Sequence, residues 1–246
     1  MKAFEFFSAK RQQFAQRAQA AFAQYKEAKK QRGMTLLEVI IVLGIIGTIA
    51  AGVVVLAQRA FDSRTISEVV QNTNTIRVAV KDTYSSAGAY PDYSSPLQLT
   101  AQTITTAGAN AGATTALVKL GKISVEEMRN KISGDFYAIG AASTVAAGGG
   151  GGAAANKKGY VIEVNGLTSE QCRSIVSQVG NNWDYVEIRN SAAGAYSLSA
   201  TPVDMTATVN TTILRSLATS QAITADQIVN SCSNAGAQNS IVLGSR

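Results

Sequence analysis

Residues 32–58 read RGMTLLEVIIVLGIIGTIAAGVVVLAQ, and the twenty residues from Val39 to Gln58 carry no charged side chain. A helix rises about 1.5 Å per residue, so twenty apolar residues reach across the ~30 Å hydrocarbon core of a bilayer. A core helix of a soluble domain keeps a polar stripe along one side. This segment is apolar all round, which predicts a membrane-spanning helix.

The charges on either side orient it. Residues 1–33 hold eight Lys and Arg against Glu5 and Glu27, which accounts for the whole net charge of +6. Arg59 and Arg64, partly offset by Asp62, follow the apolar run. The positive-inside bias therefore keeps residues 1–33 in the cytoplasm and exports the chain after about residue 58. The exported part has balanced charge, so its surface gives no basis for a nucleic-acid partner. An ordinary secretory signal places its small cleavage residues after the apolar core. Here the small residue, Gly33, stands before it.

The chain has no histidine. That removes Ser-His-Asp and Cys-His catalysis and the commonest zinc ligand, and no cofactor or metal is expected. The five glycines Gly148–Gly152 are not followed by Lys-Ser/Thr and read as a surface loop rather than a phosphate cradle.

Arg32-Gly33-Met34-Thr35-Leu36-Leu37-Glu38 resembles the processing site of type IV prepilins: a basic leader, a glycine, a hydrophobic residue and a glutamate five residues into the mature chain. The long leader and the methionine at the start of the mature chain are similar to the type IVb subclass. Farther on, AQRAFDSRTISEVVQNTNTIRVAVKD (57–82), ISGDFYAIG (132–140), GLTSEQCRSIVSQVGNNWDYV (166–186) and ILRSLAT (213–219) resemble the major pilins of toxin-coregulated, colonisation-factor and longus pili. The leader departs from these in being longer and alanine-rich.

The resemblance implies that a membrane-embedded prepilin peptidase cuts between Gly33 and Met34 and methylates the new Met34 amine. Glycine suits the cut physically, because a residue without a side chain lets the backbone lie extended against a protease. Glu38 costs on the order of 3 kcal/mol inside a bilayer, less near an interface, and such a group persists when it has a partner. The resemblance implies that partner to be the Met34 amine of a neighbouring subunit. The alternative is a glutamate snorkelling to the headgroups. Gly44 with Thr48, and Gly47 with Ala51, form small-xxx-small pairs that let helix backbones approach closely.

Past the anchor, Phe61, Ile66, Val69, Val70, Ile76, Val80 and Tyr84 recur at helical spacing, and Gly88 and Pro91 stop the run. One helix over 34–86, about 80 Å long, is expected. Leu117–Ile132 reads as a helix interrupted at Gly121, and Thr168-Ser169-Glu170-Gln171 opens another through Val179. Thr211–Leu217 and Ala225–Ser231 read as helical. Phe136–Ile139, Tyr160–Val164, Trp183–Ile188, Tyr196–Leu198 and Ser240–Leu243 read as strands, with Ala141–Lys158 a loop. The mixture lacks a βαβ rhythm and predicts an α+β fold with a mainly antiparallel sheet. By resemblance, that sheet packs on the outer half of the long helix, as in pilins. The expected organisation is a cytoplasmic leader over 1–33, an anchor over 34–58 and an exported domain over 59–246.

Cys172 and Cys232 both lie on the exported side, where disulfides persist. Closing a loop of about 60 residues stabilises a domain by roughly 4 kcal/mol on the chain-entropy model. A disulfide between them also matches the pilin pattern.

The resemblance implies a major subunit of a surface filament for adhesion, aggregation or colonisation, not an enzyme. Its partners would be copies of itself, the peptidase, assembly machinery, minor pilins, the inner membrane before assembly, and host-cell or bacterial surfaces. A minor pilin or a secretion-system pseudopilin shares the cut site and anchor. A signal-anchored periplasmic enzyme is the reading from another class, and no catalytic motif supports it.

Overall fold

The computed structural model describes residues 35–108, 112–146 and 156–246; Gly33, Met34 and the Gly148–Gly152 run lie outside them. The chain falls into two units, Met1–Gln58 and Arg59–Arg246.

Helix α1 runs from Leu36 to Tyr84 and ends in a 3-10 turn, Ser85–Ala87. In the first unit its side chains are exposed, Leu37, Ile40, Leu43, Ile46 and Ile49 among them. The helix is long and apolar enough to cross a membrane. In the second unit its buried stripe is Ile66, Val69, Asn72, Thr73, Ile76, Ala79 and Val80. The expected stripe shares Ile66, Val69, Ile76 and Val80 with it; Phe61 is 67% exposed instead.

Six strands form one sheet: β1 (Ala138–Ser143), β2 (Gly159–Leu167), β3 (Tyr185–Asn190), β4 (Val203–Asp204), β5 (Ile213–Arg215) and β6 (Asn239–Ser245). Their order is β4-β1-β2-β6-β3-β5. Every pairing is antiparallel except β1 with β4. The sheet is thus mainly antiparallel, as expected, with one parallel edge that the sequence did not announce.

Because strand side chains alternate, the sheet feeds two cores. Tyr160, Ile162, Val164, Val186, Ile188, Ile241 and Leu243 point inward. They meet the outer half of α1 and helix α4 (Ser169–Val179), whose buried face is Cys172, Ile175, Val176 and Val179. Arg77 of α1 donates to the carbonyl of Asn182 at 2.7 Å and lies 4.8 Å over the Trp183 ring. The opposite face carries Val161, Tyr185 and Val242, covered by Leu198, Val203 and Met205 from the segment after β3. Both faces being covered explains why β2 and β6 are buried at every position.

Polar groups under that covering segment fix it in place. Glu163 on β2 is fully buried. Its carboxylate accepts hydrogen bonds from Ser197 N, Ser197 Oγ and Leu198 N at 2.7–3.0 Å. Asp135 accepts from Gly194 N and from Asn165 Nδ2, both at 2.7 Å. A carboxyl group buried as fully as that of Glu163 requires such pairing. Gly166, at φ +71, takes the left-handed turn beside a register shift in β2, and a Cβ there would lie 2.8 Å from Ser133 Cβ.

Three expectations on local structure are corrected. Leu117–Ile132 is not a helix: helix α3 (Gly112–Lys119) ends near Gly121, whose φ is +67, and turns follow through Gly134. Thr211–Leu217 contains β5 rather than a helix, because Glu187 pairs with Ile213 and Val186 with Arg215 across the sheet. Tyr196–Leu198 is the pinned covering segment and not a strand.

Candidate assembly helix and disulfide region

The N-terminus of α1 is built by Thr35. Its hydroxyl accepts from Glu38 N at 3.3 Å, and its carbonyl accepts from Glu38 N and Val39 N. Thr35 is the N-cap and Glu38 the third helical residue, a capping arrangement that the sequence analysis missed although Thr-x-x-Glu is its signature. Glu38 therefore has a local role, an acid in the first turn against the positive end of the helix. Its side chain is exposed in the single chain. Gly33 and Met34, the expected cut, lie outside the described residues.

Beyond their chain neighbours and their own helix backbone, Gly44 and Gly47 have no atom within 4 Å of where a Cβ would stand. No contact among the described residues demands glycine at either position. Each glycine costs up to about 1 kcal/mol of helix stability relative to alanine. Thr48 Oγ donates to the carbonyl of Ile45 at 2.9 Å, so the hydroxyl is satisfied within its own helix. Thr48 and Ala51 are exposed in the same unit.

In the second unit Cys172 and Cys232 are joined, with Cα atoms 5.8 Å apart and a sequence separation of 60. Both are fully buried. Cys172 belongs to α4, and Cys232 follows helix α5 (Ala225–Ser231). Capping boxes start both helices: Thr168 with Gln171, and Thr224 with Gln227. The bond thus staples two capped helices into the inner core. Cys172→Ser is expected to lower unfolding free energy by about 4 kcal/mol. Urea unfolding of the detergent-solubilised chain measures this; a loss under about 1 kcal/mol would show the staple to be redundant.

No group of three or more His, Cys, Asp or Glu capable of holding a metal occurs among the described residues. An open groove of about 900 Å³ runs between α1 and the start of α4, lined by Arg59, Asp62, Ile66, Glu170, Gln171 and Ser174 among others.

Comparison with known proteins decides the family. Residues 28–54, which hold Gly33, Met34 and Glu38, match the prokaryotic N-terminal methylation motif. Residues 116–242, more than half of the chain, match the toxin-coregulated pilus subunit TcpA family. The chain belongs to the TcpA family. Two toxin coregulated pilins of Vibrio cholerae, one from serotype O1, are each 40% identical to it, over 167 and 171 residues. These alignments cover 67% and 69% of this chain, and it spans 65% and 66% of the relatives' lengths. The crystal structure of TcpA, a type IV pilin from the V. cholerae El Tor biotype, matches with a TM-score of 0.55 at 24% identity. That match covers 74% of this chain and 99% of the other, and the shared fold is the type IV pilin fold: a long helix on a sheet.

Proposed function

We propose that this TcpA-family chain is the major structural subunit of a type IVb pilus. The observation that carries the reading is the helix from Leu36 to Gln58. It is apolar on every side and exposed in the single chain, with one carboxylate, Glu38, in its first turn. Such a surface is stable only in lipid or among other copies of itself.

On this reading residues 1–33 form a cytoplasmic leader, 34–58 the anchor and assembly segment, and 59–246 the exported domain. A prepilin peptidase removes the leader after Gly33, and Met34 becomes a methylated N-terminus. The processed chain waits in the inner membrane with its domain in the periplasm. It then joins a helical filament outside the cell with the help of assembly machinery and minor pilins. In the filament Glu38 pairs with the Met34 amine of a neighbour. Gly44, Gly47, Thr48 and Ala51 let adjacent helices approach, which gives the two contact-free glycines a purpose that the single chain lacks. The filament's surface serves adhesion, aggregation or colonisation. Its role is structural rather than catalytic.

A minor pilin or pseudopilin would share all of this at low copy number, so abundance separates the two. Filaments sheared from producing cells are expected to consist mainly of this chain, beginning at a methylated Met34 by mass spectrometry. A trace amount would move the assignment to a minor subunit. A mature N-terminus after residue 50 would overturn the pilin reading altogether.

A further inference from the structure

Strand β6 sits at the centre of its sheet. It pairs on one side with β2, from Leu167↔Asn239 to Tyr160↔Ser245, and on the other with β3, from Asn190↔Asn239 to Tyr185↔Gly244. All seven of its residues are buried. Strands β2 and β3 do not pair with each other, so without β6 the sheet divides into β4-β1-β2 and β3-β5. Each half would then present a row of unpaired backbone donors and acceptors about 10 Å from the other, the width of one missing strand.

The two halves are nevertheless tied together by residues that precede β6. The Cys172–Cys232 bond closes before Asn239 in sequence. The segment after β3 is fastened to the β2 half by Glu163, which holds Ser197 and Leu198, and by Asp135, which holds Gly194. Tyr196 OH donates to the carbonyl of Phe136 on the same side. These links join the walls of the gap through residues outside the strand that fills it.

We propose that residues up to about Gln238 form a strand acceptor: a slot between β2 and β3 that takes an extended segment antiparallel to both walls, supplied by residues 239–245 of the same chain. The slot states what it accepts. Branched aliphatic side chains are needed at 241 and 243, which face the inner core. At 244 there is room for glycine alone, since a Cβ would lie 2.9 Å from Tyr185 Cβ and 3.2 Å from Val161 Cγ1. At the exit Ser245 Oγ donates to Asp184 at 2.9 Å and accepts from Arg77. Strand addition of this kind draws affinity from the backbone and specificity from alternate side chains. The exported unit therefore closes its sheet at the centre, where residues 239–245 join two walls that are already tied to each other.

The turn Ala235–Gln238 is exposed and allows a direct test that starts from a folded protein. A protease site is inserted after Gly236 in the full chain, the purified, oxidised protein is cut, and mild urea is used to exchange the strand for a labelled peptide of residues 238–246. The cut chain is expected to take up the peptide and regain the trypsin resistance of the uncut protein. Without peptide, trypsin should digest it at least tenfold faster. A peptide carrying Ile241→Asp and Leu243→Asp should bind at least 100-fold more weakly. Equal resistance after the strand is removed, no uptake of the native peptide, or equal uptake of the double-substituted one would each overturn the proposal. A dimer of uncut chains that exchange this strand would overturn its intrachain assignment. The experiment uses monomers in detergent and is independent of filament formation.

Discussion

Cells producing Gly33→Val are expected to hold the full-length precursor in the inner membrane and to make no filaments. Glycine lets the backbone lie extended against the peptidase, whereas valine adds a branched, stiff side chain on the cleaved bond. If the crowding raises the cleavage barrier by ~3 kcal/mol, processing slows about 100-fold. The exported domain should be unaffected, because the proposed cut lies on the cytoplasmic side and the disulfide on the other. Mass spectrometry of membrane fractions should find residues 1–33 still attached and Cys172 bonded to Cys232. Mature chain starting at Met34 at wild-type level would refute the assignment of the cut.

Glu38→Val separates folding from assembly. The substitution keeps the Thr35 cap, because the bond to Thr35 Oγ comes from the backbone N–H of residue 38. It removes a first-turn acid, worth about 0.3–1 kcal/mol to the helix, and favours residence in lipid by a few kcal/mol. Helix and anchor should therefore survive. What should disappear is the proposed attraction to a neighbour's Met34 amine, about 4 kcal/mol at 4 Å for an effective dielectric constant near 20. A loss of that size weakens each subunit addition by roughly a thousandfold. The expected result is processed, oxidised, membrane-embedded pilin with few or no filaments. Glu38→Asp should be intermediate, since it keeps the charge with a shorter reach. Thr35→Ala, which removes a cap worth about 1 kcal/mol, should reduce filaments far less. Filament counts by electron microscopy decide it: wild-type numbers from Glu38→Val, with cleavage verified, would rule the pairing out as a requirement.

The features of the assembly segment were legible in the sequence because they rest on local chemistry. A charge-free run of twenty residues, a glycine before it and one carboxylate near its start can each be read without a fold. Thr35 was legible in principle through its Thr-x-x-Glu spacing, but the conspicuous Glu38 drew the reading toward assembly. The disulfide was legible because the chain has two cysteines and both are exported. Glu163 gave no signal, since a lone carboxylate in GYVIEVNGL reads as a solvent-facing strand position. Its burial depends on Ser197 and Leu198, which lie 34 and 35 residues away.

The sequence by itself determined the long helical periodicity through Tyr84, the apolar runs within β2 and β6, and the capped start of α4. The helical pattern repeats over enough residues for side-chain spacing to fix the backbone. Tertiary structure decided the short elements and their order. Three residues in β5 and two in β4 are too few to carry a period, and their state follows from the neighbour that supplies their hydrogen bonds. Gly121 read as an interruption of a longer helix, yet the chain leaves the helix there because Ser124 and Glu127 bond each other in a turn. The central place of β6 was decided in the same way. Its pattern identifies a buried strand, but only the packing of the whole sheet says which two strands it must join.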